Sequence, residues 1–240
     1  MNILLSLEKY LPVKSQKKLI ENIIYLFVLQ GSNYIIPLIT VPYLVKTLGP
    51  ELYGLMAYSS ANITFFLIFI DYGFNLTATK EISINRQNHA KIEEIFSAVI
   101  IIKLIILIAC FLVLLFLVLF VNKYNTYWEV HFLTFCTVIG HTFSGNWFFQ
   151  GVEKMFYITS FNIISKIFCT VFVFILIKNR SDYLIATALS SLSYLITGIC
   201  SVLIIILKFK IRFKWQNLNI IIHYLRDGFC FLNASALWLK

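Results

Sequence analysis

The chain has 240 residues, of which 60% are apolar or aromatic and only 13% are charged, against roughly 25% charged in soluble domains. That balance excludes a soluble globular fold, which could not hide so much apolar surface. The net charge of +9 sits in short clusters between apolar segments, a placement that suits anionic lipid headgroups and topology control better than nucleic acid, so no nucleic-acid partner is expected.

Lys9, Lys14, Lys17 and Lys18 precede the first apolar segment. That segment reads as an uncleaved first span and not as a signal peptide, so residues 1–21 are expected to form a cytoplasmic N-terminal segment. Candidate spans then cover about residues 22–45, 52–70, 95–121, 130–150, 155–177 and 183–207. At 1.5 Å per residue each can cross a hydrocarbon core of about 30 Å. The third contains eighteen consecutive residues, Leu104–Val121, without charge, proline or amide side chain. Backbone N–H and C=O groups in hydrocarbon must pair within their own segment, so the spans are predicted to be helices. Together they form an expected six-helix transmembrane lobe over residues 22–207.

After the sixth span, residues 208–227 carry Lys210, Arg212 and Lys214, then Trp215, Leu218, Ile222 and Leu225 on one face of a helix. This predicts a basic amphipathic segment on the cytoplasmic surface, in contact with membrane lipids. Residues 228–240 open a seventh apolar segment too short to cross a bilayer. The expectation is a chain truncated inside its seventh helix. Counting Lys and Arg in alternate loops gives thirteen on one side and four (Lys46, Lys123, Lys178 and Arg180) on the other, which predicts a cytoplasmic N-terminus.

The five cysteines all fall in apolar stretches with no CxxC spacing, and His89, His131, His141 and His223 show no ligand spacing. Neither a metal site, a disulfide framework nor a cofactor is expected. The informative polar residues lie inside the spans. Gln30, Asn33 and Pro37 share a face of the first, with Pro42 beyond. The fourth carries Thr134, Thr137, His141 and Ser144, and the fifth Thr159, Asn162, Lys166 and Thr170. In the sixth, Thr187, Ser190, Tyr194, Thr197 and Ser201 recur at helical spacing. A purely structural bundle would keep only small residues where helices touch. Four polar faces in six helices predict a hydrated cavity.

Two lysines sharpen this, since a lysine at the centre of a spanning helix costs about 2.5–3.5 kcal/mol. Lys103 is close enough to the cytoplasmic side of the third span to snorkel. Lys166 is deeper and belongs to a polar face. Lys46 and Asp71 sit at span boundaries. A cavity presenting lysines and hydroxyls suits an anionic passenger such as a phosphate or diphosphate. Pro37 and Pro42 each remove an intrahelical hydrogen bond, which predicts a bend in the first span.

The strings QGSNYIIPLITVPYLVKTLGPELYG (Gln30–Gly54), DYGFNLTATKEIS (Asp71–Ser83) and NWFFQGVEKM (Asn146–Met155) resemble the Wzx-type O-antigen and polysaccharide flippases of the multidrug/oligosaccharidyl-lipid/polysaccharide exporter superfamily. The resemblance runs from about Ile20 to Leu237. It implies twelve helices in two lobes around a central cavity, of which this chain would be the N-terminal lobe plus the start of a seventh helix. It also implies a bacterial inner-membrane transporter that turns undecaprenyl-diphosphate-linked repeat units from the cytoplasmic to the periplasmic leaflet. A coupling ion and polysaccharide polymerase machinery are implied partners. Mapped by motif, Lys46 takes the place of the family's basic residue. Asp71, Tyr72, Gly73 and Asn75, with Trp147, Gln150 and Gly151, form a cytoplasmic mouth. Gln30, Asn33, Lys103, His141, Asn162 and Lys166 complete the expected substrate path.

Three rival readings are set against this one. A membrane-embedded glycosyltransferase or polymerase would gather acids and histidines in one sizeable loop, and here they are scattered. A drug exporter of the same superfamily would need deep carboxylates, and the acids here sit at span boundaries. A truncated, nonfunctional remnant of the flippase is the third.

Overall fold

The computed structural model describes residues 13–237; residues 1–12 of the expected N-terminal segment, and residues 238–240 of the seventh apolar segment, lie outside them. Ten α-helices follow in order: α1 (Val13–Leu48), α2 (Pro50–Asp71), α3 (Phe74–Ile84), α4 (His89–Phe120), α5 (Asn122–Asn125), α6 (Trp128–Thr142), α7 (Asn146–Gly151), α8 (Met155–Leu176), α9 (Tyr183–Leu207) and α10 (Leu218–Leu237). No strand occurs among the described residues. Among the described residues five stretches are long and apolar enough to cross a membrane: Ile20–Leu48, Pro50–Ile84, His89–Phe120, Met155–Leu176 and Arg180–Leu207. The chain is an all-α, multi-pass membrane protein. Pro37 and Pro42 both lie within the unbroken α1.

The expected fourth span is not one helix. It is α6, of 15 residues, followed by a turn and the 6-residue α7. Gly145 sits at φ +60°, a left-handed conformation that ends an α-helix. The Ser144 hydroxyl donates to the His141 carbonyl at 2.9 Å and holds the turn.

The stretch between the second and third expected spans, residues 71–94, is also folded. Tyr72 (φ 37°) and Gly73 (φ 79°) turn the chain out of α2 and into α3. Asn88 then caps α4, its side chain accepting the Lys91 N–H at 3.1 Å. α3 lies against α7. Thr79 Oγ1 donates to the Trp147 carbonyl at 3.1 Å, and Arg86 Nε to the Gly151 carbonyl at 2.8 Å. The Arg86 guanidinium also meets Glu153 at 2.6 Å. Phe74, Ala78, Ile82, Trp147, Phe148 and Phe149 are buried between them. This plate closes the end of the bundle that carries Lys80, Arg86, Lys91 and Lys154, here called the basic end.

The expected amphipathic helix begins later than its pattern indicated. Residues 208–217 carry no regular helix, and α10 runs from Leu218 to Leu237. Trp215 therefore precedes the helix and is 84% exposed, beside exposed Leu218 and Ile222. The face of α10 that packs inward is that of Ile221 and Tyr224. Residues 208–217 form a strap across the start of α4. Glu93 accepts the Arg212 N–H at 3.1 Å and meets the Lys214 ammonium at 2.5 Å. Ser97 Oγ accepts the Lys214 N–H at 3.0 Å.

Candidate functional site

Helices α1, α6, α8 and α9 turn their polar faces toward one another and line a half-open cavity of about 510 Å³. α1 contributes Asn33 and Pro37, α6 contributes His141, and the turn after α6 contributes Ser144. Asn162 and Lys166 come from α8, and Ser190, Tyr194 and Thr197 from α9. The Lys166 ammonium donates to Asn33 Oδ1 and lies 5.7 Å from the centre of the Tyr194 ring. A lysine inside an apolar helix is tolerable when a cavity and such partners receive it.

The hydroxyls play a different part from the one their pattern suggested. Ser144 donates to His141 O at 2.9 Å, Ser190 to Ala186 O at 2.9 Å and Thr197 to Ser193 O at 2.9 Å. A hydroxyl whose single proton goes to its own helix offers the cavity lone pairs and no donor. The groups left to hold an anion here are the Lys166 ammonium, the His141 imidazole and the side-chain amides, together with the Thr170 and Tyr194 hydroxyls that also line the cavity.

Lys103 departs from expectation. It does not snorkel: it is 1% exposed, with its ammonium 3.6 Å from Asp71 Oδ1. His141 Nδ1 lies 3.6 Å from the same oxygen. At that distance neither contact is a hydrogen bond, and only the Lys103 contact is one of charge while the imidazole is neutral. Transfer of an ammonium into a protein interior costs several kcal/mol unless an opposite charge meets it, and Asp71 is the charge that meets Lys103. His141 belongs to both groups, since it also lines the cavity.

The remaining predicted residues stand apart from the cavity. Lys46 is exposed at the opposite end of α1. Gln30 is exposed, with its amide donating to the Tyr34 hydroxyl at 3.3 Å. Tyr72, Gly73 and Asn75 are half-buried in the turn and first residues of α3. Trp147 is fully buried within the plate, and Gln150 is half-buried in α7. Sequence reasoning missed a second cavity of about 270 Å³ between α2, α6 and α9. It is lined by Thr134, Thr137 and Thr187 of the recognised polar faces, together with Ser60 and Thr64 of α2. It also missed the buried set in which Ser59 Oγ meets His131 Nδ1 at 3.0 Å and donates to Thr134 Oγ1 at 3.1 Å.

The family described as "Polysaccharide biosynthesis protein" matches residues 19–239. A protein of Escherichia coli (strain K12), provisionally named an O-antigen transporter, is 36% identical over 220 residues, covering 91% of this chain and 53% of its own length. A Shigella dysenteriae protein of the same provisional name is 28% identical over 185 residues, covering 77% of this chain and 46% of its own. The chain spans about half the length of the curated relatives it matches. No solved structure matches it. The family match takes in every residue that lines the two cavities, and on it the chain belongs to the polysaccharide biosynthesis protein family.

Proposed function

We propose that this chain is the first lobe of a flippase for prenyl-diphosphate-linked polysaccharide repeat units, of the undecaprenyl-linked O-antigen kind, acting in a bacterial inner membrane. It moves such units from the cytoplasmic to the periplasmic leaflet, as a transporter and not an enzyme. The observation that carries this reading is the cavity itself. It lies half-open between apolar helices, is lined by apolar and polar side chains together, and presents the Lys166 ammonium and His141 beside amides. Such a cavity can shelter a charged diphosphate head while its lipid tail stays in hydrocarbon. The basic loops flank one end of the bundle, and thirteen basic residues against four support a cytoplasmic basic end and N-terminus. A cation-exporting drug transporter would need a deep carboxylate free to take its cargo. Asp71, the acid nearest the cavity, is already opposed by Lys103 and His141.

The test is made in vesicles containing the protein and a fluorescent short-chain prenyl diphosphate sugar. Movement of the probe from inner to outer leaflet is expected to exceed that in protein-free vesicles. Lys166→Met is expected to lose most of the excess, and Lys123→Met, at the opposite end, to keep it. Equal rates for the wild type and Lys166→Met would overturn the reading.

A further inference from the structure

We propose that Asp71, Lys103 and His141 form a proton-binding site that opens on the cavity through His141 and takes up a proton when a diphosphate enters. This rests on the reading of the cavity as a diphosphate site and states what that site exchanges with solvent.

The three groups come from three helices. Asp71 is the last residue of α2, Lys103 lies midway along α4, and His141 is next to last in α6. Both partners approach a single oxygen, Asp71 Oδ1, each at 3.6 Å. Neither that oxygen nor His141 Nδ1 has a hydrogen-bond partner among the described residues. Neither contact is therefore locked by a directional bond, and the His141 contact becomes one of charge only when the imidazole holds a second proton.

The charges then decide which state is populated. The Asp71 carboxylate and the Lys103 ammonium cancel, so a neutral imidazole leaves the cluster neutral. A proton on His141 leaves one positive charge in excess beside a lysine that is 1% exposed. Buried excess charge is costly. The groups facing His141 from the other helices do not relieve it. α2 brings Asp71, already shared, and α4 brings Lys103. Across the cavity α8 brings Lys166 and α9 brings Tyr194, while the residues of α1 and α7 that line the cavity, among them Asn33 and Asn146, carry no titratable group. In the empty cavity the added Lys166 charge opposes protonation further.

A diphosphate reverses this balance. Its charges enter on the face that His141 shares with the cavity, where an imidazolium can both neutralise and hydrogen-bond them. The proton comes from water reaching the cavity and forms one N–H bond on the imidazole. It leaves by the same route when the anion departs, with no other bond made or broken. A metal ion fits this site poorly, because the Lys103 ammonium already faces the cluster's single carboxylate.

Calorimetric titration of the purified protein with inorganic diphosphate, near neutral pH in buffers of differing ionisation heat, counts the protons exchanged on binding. The wild type is expected to take up about one proton more per diphosphate than His141→Gln. Lys103→Met touches neither cavity nor ligand, yet it is expected to lose the same uptake. With Lys103 gone, the imidazolium can stand opposite Asp71 before any ligand arrives. His131→Gln, in the separate Ser59 cluster, is expected to match the wild type. Thermal unfolding of each variant confirms that the compared proteins are folded, and Lys103→Met keeps the test open if His141→Gln is not. Binding with the same proton count in wild type, His141→Gln and Lys103→Met would overturn the proton site and leave the diphosphate reading standing. Absence of binding by the wild type would overturn both.

Discussion

Gly140 and Gly198 meet backbone to backbone where α6 crosses α9. A Cβ on Gly140 would lie 2.4 Å from the Tyr194 carbonyl carbon, and one on Gly198 would lie 2.5 Å from the Gly140 oxygen. In an apolar medium, helices gain from van der Waals contact and hydrogen bonds more than from expelling water, so a small residue at the crossing sets how closely they approach. His141 follows Gly140 directly, and Tyr194 lies one turn before Gly198. The crossing therefore fixes the separation of two groups that line the cavity.

Gly140→Val is accordingly expected to destabilise the bundle by about 1–3 kcal/mol through overpacking against backbone that cannot give way. Gly31→Ala, where nothing lies within 4 Å of a new Cβ, is expected to be neutral. Thermal unfolding in detergent, followed by loss of helical signal, measures both. Equal midpoints for Gly140→Val and the wild type would show that the crossing is looser than described.

The Asp71–Lys103 pair predicts an asymmetric response to mutation. Asp71→Asn leaves the Lys103 ammonium buried without its counter-charge and is expected to cost about 3 kcal/mol, the low end for such a loss. The low end applies because the Asp71 side chain is 31% exposed. Lys103→Met leaves a carboxylate that water can still reach and is expected to cost less. The double variant is expected to recover most of the loss, giving a coupling of about 1–3 kcal/mol in a double-mutant cycle of unfolding free energies. Additive effects would mean that the two groups do not sense each other.

Lys166 is the cavity's own cation, and its removal predicts a loss of affinity with little loss of fold. Lys166→Met is expected to weaken inorganic diphosphate binding by about tenfold or more, corresponding to about 1.5–3 kcal/mol for a charged hydrogen bond. Lys166→Arg is expected to lose less. The wild-type affinity is also expected to fall with added salt, and the Lys166→Met affinity to fall less steeply, because screening acts on the charge that has been removed. Isothermal titration across a salt series reads both, and an unchanged affinity for Lys166→Met would remove it from the site.

How much of this was legible in the sequence depends on the kind of information involved. Hydrophobic length and helical periodicity are local properties, so the apolar spans and the polar faces of α1, α6, α8 and α9 could be read directly. The convergence of Asn33, His141, Asn162 and Lys166 on one cavity followed because each already faced away from lipid on its own helix. The pairing of Asp71 with Lys103 was not legible. It depends on how α2 and α4 lie side by side, and a lysine near a span boundary looks the same whether it snorkels or is buried. The break at Gly145 did leave a local sign, since Ser144, Gly145 and Asn146 form a turn-prone run, but the apolar residues on either side together are long enough to read as one span. The motif around Trp147 was read as a mouth, and its residues instead build the plate against α3. Long apolar side chains such as Phe148 and Phe149 do not reveal which neighbour they will meet.

The strap across α4 yields a final prediction. Glu93 is 5% exposed and accepts the Arg212 backbone N–H at 3.1 Å, while Ser97 holds the Lys214 N–H at 3.0 Å. The Lys214 side chain is 57% exposed, so its ion pair with Glu93 is screened by solvent and contributes little. The backbone contacts carry most of the restraint. Glu93→Gln weakens the acceptor without removing it, and Ser97→Ala removes the other acceptor outright. Each is expected to ease opening of the strap by about 1 kcal/mol, which corresponds to about a fivefold rise in the open population. Trypsin reads that population directly, since Lys210, Arg212 and Lys214 all lie in the strap. Cleavage there is expected to quicken about fivefold in either variant and further in the double variant, with cleavage elsewhere unchanged. An unchanged rate in the double variant would mean that the strap is held by the packing of Phe209 and Ile211 in the core at the basic end, and not by these hydrogen bonds.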